Sequence, residues 1–132
     1  MIGLDTNIVL RLADRRDPAQ TAAARRLIAS AVGEGGCVLN PIVLAEFAWT
    51  LERQFRFERT SVAEHVEGFL GAPEFVVPFA EQARAALAQF RAGSANFADY
   101  FLAEINRSLG CETTYTFDRA AAESEGFTWL AN

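Results

Sequence analysis

The chain has 132 residues, the size of one ordinary domain, with 51% hydrophobic residues, 22% charged residues and a net charge of −5. That balance excludes a disordered or fibrous chain, and no apolar run approaches the ~20 residues needed to span a bilayer. All twelve basic residues are arginine, which excludes chemistry that needs a lysine, such as a P-loop or a Schiff base.

Met1-Ile2-Gly3-Leu4 reads as a short buried strand that ends at Asp5-Thr6-Asn7, with a short helix from Ile8 to about Ala13. Nothing in this start resembles a basic, then apolar, secretory leader, so a cytoplasmic protein is expected. Asp14-Arg15-Arg16-Asp17-Pro18 is a turn, with Asp17 as N-cap and Pro18 at the first helical position. Residues 18–32 form an Ala-rich amphipathic helix stopped by Gly33-Glu34-Gly35-Gly36. Cys37-Val38-Leu39 is a second strand. Asn40 caps a helix that opens with Pro41 and runs to about Phe55. Another helix begins at Thr60 or Ser61 and ends at Gly71-Ala72-Pro73.

Phe75-Val76-Val77 is a third strand, and Phe79 to Arg91 is helical. Ala92-Gly93-Ser94 breaks that helix. Asn96 to Leu109 is the next, closed by Gly110. Thr113 to Phe117 is a fourth strand ending at Asp118. A short helix from Arg119 to Glu125 and a fifth strand, Phe127 to Leu130, complete the chain. Short apolar strands alternating with helices predict a single α/β domain over residues 1–132. The expected architecture is a three-layer α/β/α sandwich around a mostly parallel five-stranded sheet.

Several residue types carry little chemistry. The single histidine, His65, falls in a helix beside Glu64 and Glu67 and reads as solvated. One histidine and two cysteines, Cys37 and Cys111, are too few for a zinc site, and the cysteines read as buried reduced thiols. Charge is unevenly spread: residues 1–60 carry +1 and residues 61–132 carry −6. An acidic chain is a poor nucleic-acid binder unless its acids gather around cations that reverse the local sign.

The carboxylates are therefore the candidates for chemistry. Ligands of an open parallel sheet bind beyond the carboxyl ends of the strands. Asp5 follows the first strand and Asp118 the fourth, and they face one another if those strands are neighbours. Glu46 interrupts the apolar stretch Ile42-Val43-Leu44-Ala45-Glu46-Phe47-Ala48-Trp49. Asp99 lies in Asn96-Phe97-Ala98-Asp99-Tyr100. Each has an ordinary structural explanation as well. Asp5 and Asp118 are natural helix caps, Asp99 would sit at N3 near the helix dipole, and Glu46 can reach solvent or pair with Thr50 or Arg53.

In sequence order, Leu4-Asp5-Thr6-Asn7, Leu44-Ala45-Glu46-Phe47, Asn96-Phe97-Ala98-Asp99-Tyr100 and Thr116-Phe117-Asp118 resemble the PIN-domain family. The likeness is closest to VapC-type toxins of prokaryotic toxin–antitoxin pairs, and it spans nearly the whole chain. It implies a PIN-like fold and a metal-dependent endoribonuclease that hydrolyses RNA phosphodiester bonds. Clustered carboxylates need hard cations to stay ionised, so Mg²⁺ is expected, with Mn²⁺ as substitute. Asp5, Asp99 and Asp118 are the expected metal ligands. Glu46 would hold a second metal or orient the attacking water. Thr6, Asn7 and Thr116 are expected to fix the carboxylates from behind, although local turn bonding explains them equally well.

Arg15, Arg16, Arg53, Arg56 and Arg59 are candidates for RNA backbone contact, or simply a solvated face. The resemblance also implies a VapB-type antitoxin and a homodimer, to which Trp49, Phe55 and Phe57 would lend apolar surface. No membrane partner is expected. Two other readings stay open: a PIN-type nuclease of RNA processing, and a non-catalytic α/β binding module.

Overall fold

The computed structural model describes Met1–Asn132, which divide into two compact units, Met1–Pro78 and Phe79–Asn132. No helix is long and apolar enough to cross a membrane.

The first unit holds strands β1 (Ile2–Gly3), β2 (Cys37–Val38) and β3 (Phe75–Val76). They form one parallel sheet in the order β1-β2-β3, with Ile2 opposite Cys37 and Cys37 opposite Phe75. Its helices are α1 (Thr6–Ala13), α2 (Pro18–Ala31), α3 (Pro41–Arg53) and α4 (Arg59–Gly71), with a 3₁₀ turn at Val32–Glu34. The predicted caps form. Asp17 accepts from Gln20 N at 3.1 Å and Asn40 from Val43 N at 3.0 Å, each followed by proline at the first helical position. Gly36 lets β2 enter the sheet: it sits at φ +82°, and a Cβ there would lie 2.6 Å from the Glu74 carbonyl oxygen. The core of this unit is built from fully buried Val9, Leu39, Leu44, Phe47, Leu51, Val62 and Val66.

The second unit holds α5 (Ala80–Ala92), α6 (Phe97–Ser108), β4 (Thr114–Thr116), α7 (Arg119–Ala122) and β5 (Phe127–Trp129). The helices α5 and α6 pack on each other, and Phe90 meets Phe97 edge-on at 6.3 Å. Gly110 closes α6 at φ +98° as its C-terminal position requires. β4 and β5 pair in parallel, Thr114 opposite Phe127, and α7 packs on both.

The parallel α/β character is as expected, but the five strands do not form one sheet. A three-stranded sheet is present in the first unit and a two-stranded sheet in the second. Apolar runs mark where strands lie, not which backbone edges meet. Strands of two or three residues offer too few ladder bonds for sequence periodicity to specify a partner. Two smaller expectations also change. Cys37 is buried, and burial pushes its thiol pKa up, whereas Cys111 is exposed because it lies in the loop beyond Gly110. His65 is half-buried, its Nδ1 2.8 Å from the Ser61 carbonyl and its ring beside Phe57 and Phe47, because its face of α4 packs toward α3.

Candidate active site

In the first unit, the turn from β1 into α1 places Asp5. Its backbone is extended, and its Oδ1 accepts a hydrogen bond from Thr6 N at 2.8 Å, so it caps α1. The helices α1 and α3 pack together through buried faces: Thr6, Val9 and Leu10 on one, Val43, Leu44, Phe47, Ala48 and Leu51 on the other. This packing brings the Thr6 hydroxyl to 3.5 Å from Glu46 Oε1, at the outer edge of hydrogen-bond range. One buried threonine thus touches two carboxylates that are 40 or so positions apart in sequence, with its amide on Asp5 and its hydroxyl on Glu46.

Glu46 is exposed, despite its apolar neighbours in sequence. Helical periodicity turns Val43, Leu44, Phe47 and Ala48 inward and leaves Glu46 outside, so no buried charge has to be neutralised. Its partner is Thr6 rather than Thr50 or Arg53. Asp5 is exposed as well. Asn7 is exposed and makes no hydrogen bond to either carboxylate; it borders a shallow apolar groove with Ile8, Arg11, Gln20 and Leu27.

In the second unit, Asp99 occupies N3 of α6, half-buried, with its amide donating to Asn96 Oδ1 at 3.0 Å. Asp118 follows β4 and caps α7, its Oδ1 accepting from Ala120 N at 2.9 Å. Its own amide donates to Thr116 Oγ1 at 3.0 Å, so Thr116 shapes the turn that presents Asp118. Asp118 is exposed.

Each cap carboxylate commits one oxygen to the backbone and leaves the other for a ligand. Outward-facing carboxylate oxygens without histidine or thiolate company are the donor chemistry of hard divalent cations, Mg²⁺ or Mn²⁺. Neither unit by itself assembles three or more His, Cys, Asp or Glu side chains into a metal-holding group.

The arginines separate into two kinds. Arg16 and Arg11 clasp Asp14, with Arg16 Nε 2.8 Å from Oδ1 and Arg11 Nη1 3.2 Å from Oδ2. Arg59 pairs with Glu52 at 3.4 Å. Arg15, Arg53 and Arg56 are exposed. By its sequence Asp14 is an ordinary turn residue. The structure makes it one of three buried polar residues, and the Arg16 hydrogen bond holds its carboxyl below the ordinary aspartate range. The Asp-Arg-Arg run at the end of α1 was the available signal.

Comparison with known families names the class. The PIN domain model matches residues 2–125, so the chain belongs to the PIN domain family. PIN domains are generally nucleases acting on nucleic acid, typically with divalent metal ions. No curated protein and no solved structure matches the chain significantly.

Proposed function

We propose that the whole chain acts as a single PIN domain and is a Mg²⁺-dependent endoribonuclease toxin of the VapC type. The observation that carries this reading is the contact of Asp5 and Glu46 with the one residue Thr6, in a chain whose family match runs through all four acids.

Asp5, Asp99 and Asp118 would hold the cation, and Glu46 would hold a second or orient the attacking water. A bound divalent cation supplies Lewis acidity toward the scissile phosphate and charge for the leaving oxygen. The chain's own residues supply position. The Thr6 amide and hydroxyl limit the rotamers of Asp5 and Glu46, and Thr116 shapes the turn that carries Asp118. Glu46, exposed and ionisable, can accept a proton from the water it orients. Neither a histidine base nor a lysine is needed, which suits a chain with one histidine and no lysine.

The same reading includes a cytoplasmic location, a homodimer and a VapB-type antitoxin. Exposed carboxylates are open to an arginine offered by such a partner.

The test is cleavage of single-stranded RNA by the purified chain with and without Mg²⁺. The parent should cut only with the metal, and Asp5→Asn and Asp99→Asn should lose roughly a thousandfold in rate with unchanged circular dichroism. A parent that does not cut RNA, or variants that cut as fast as the parent, would refute the assignment.

A further inference from the structure

A cleft on the first unit, about 550 Å³, lies where the chain leaves α1 and α3. Arg15, Arg16 and Arg56 line it together with Gln54, Phe55 and Phe57. Asp14 also lines it, but its charge is spent: it is 7% exposed and clasped by Arg16 through Nε at 2.8 Å and Nη2 at 3.1 Å, and by Arg11 at 3.2 Å. That clasp holds the Arg16 guanidinium 5.2 Å from the centre of the Phe55 ring. Arg15 and Arg56 are left exposed without an ion pair, so the cleft carries uncompensated positive charge on a chain of net charge −5. Arg56 sits at φ +56°, a left-handed backbone that a residue with a side chain rarely adopts. The neighbouring amides are tied down: Phe55 N donates to Thr50 O at 3.1 Å and Phe57 N to Leu51 O at 2.9 Å. This strained turn brings Phe55, Arg56 and Phe57 to one cleft.

The cleft stands in a defined relation to Asp5 and Glu46 of the same unit. Thr6 touches Glu46 near one end of the α1–α3 pair. Asp14 and Gln54, each eight residues farther along, border the cleft at the other. At the helical rise that separation is ~12 Å. Between them, α3 shows Trp49, 43% exposed, three residues beyond Glu46, and exposed Arg53 four residues beyond Trp49. Glu46, Trp49 and Arg53 therefore follow one stripe of α3.

We infer that this stripe and cleft bind single-stranded RNA beside the carboxylates, with Arg15 and Arg56 on phosphates and Trp49 as a stacking surface for a base. The inference rests on the nuclease reading for the identity of the ligand, since cation and aromatic side chains alternating along a groove are the general chemistry of single-strand binding. It selects Arg15 and Arg56 from the five arginines that sequence alone offered.

The experiment uses the full chain carrying Asp5→Asn, which suppresses cleavage, and a fluorescein-labelled oligouridylate. Anisotropy is read across a salt series. Adding Arg15→Ala with Arg56→Gly, the latter keeping the left-handed turn, should weaken binding at least tenfold. It should also lower the salt slope by about 1.4, the value for two lost phosphate contacts on a single strand. Arg15→Lys with Arg56→Lys retains both charges and should keep the slope. An unchanged affinity and slope in the Ala/Gly chain, with the parent still cutting RNA, would overturn the cleft and leave the nuclease assignment standing. Arginine-dependent binding by a parent that never cuts with Mg²⁺ would support the cleft and sink the nuclease assignment. Displacement of the RNA by polyglutamate at equal charge concentration would overturn RNA as the ligand in favour of an acidic peptide.

Discussion

The two units hold their acids by different means. In the first, Asp5 caps α1 through the adjacent Thr6 amide, and Glu46 reaches the Thr6 hydroxyl only because α1 packs against α3. In the second, Asp99 and Asp118 take their places from backbone bonds within a few residues: Asn96 caps the turn that starts α6, and Thr116 and Asp118 build the turn into α7. Long-range packing can be loosened without unfolding a helix, whereas a cap residue and its helix end stand or fall together. The same residue type is therefore exposed to different failures in the two halves.

Thr6 is the sharpest place to break that contrast. Thr6→Val keeps shape and removes the hydroxyl from Glu46, while the amide bond to Asp5 survives. RNA cleavage should fall roughly 10- to 100-fold, the usual cost of losing a group that orients a metal ligand. The loss should appear as a higher Mg²⁺ requirement, and Thr6→Ser should restore it. A variant with parental metal dependence would mean that Thr6 only fills space.

A smaller effect is expected from the caps of the second unit. Asn96→Ala should lower stability by about 1 kcal/mol, read as a lower urea midpoint at constant slope. Asp118→Asn keeps an acceptor for Ala120 N, so it should lose cleavage with little loss of stability. If Asp118→Asn unfolds as readily as Asn96→Ala, the carboxylate is needed by the fold and the separation of roles fails.

The smallest effect concerns Asp14. Its pKa is lowered in the folded chain, first by the Arg16 hydrogen bond. A carboxylate with a depressed folded pKa contributes stability that is present above its unfolded pKa and is lost as pH falls through the folded value. Asp14→Asn should therefore lower Tm at neutral pH, and the gap should close as pH drops below the ordinary aspartate value of 3.8. A gap that persists at low pH would assign the effect to packing rather than to charge.

Local chemistry was legible in the sequence to a useful degree. Asp17-Pro18 and Asn40-Pro41 each predicted a cap and a first helical residue, and Asn96 and Gly110 bracketed α6. Asp5 began α1 two residues earlier than apolar periodicity indicated, because the cap rather than Ile8 sets the start. Other features stayed hidden because they depend on what comes alongside. Cys37 and Cys111 each follow a glycine and both read as buried thiols, yet Cys111, which precedes Glu112, is exposed, while Cys37 lies in the middle strand of a sheet. Asp14 looked like any turn aspartate until Arg16 folded back over it.

By itself, then, the order of residues determined most of the helices and their caps, because capping and amphipathic periodicity act within a few positions of the chain, and it carried the pattern of the PIN domain family. Tertiary structure alone decided that the strands pair as three and two, that Thr6 reaches Glu46, and that Asp14 neutralises Arg16 while Arg15 and Arg56 keep their charge. Those outcomes turn on which surfaces pack together. Burial and partner choice are properties of that packing, and no local pattern encodes them.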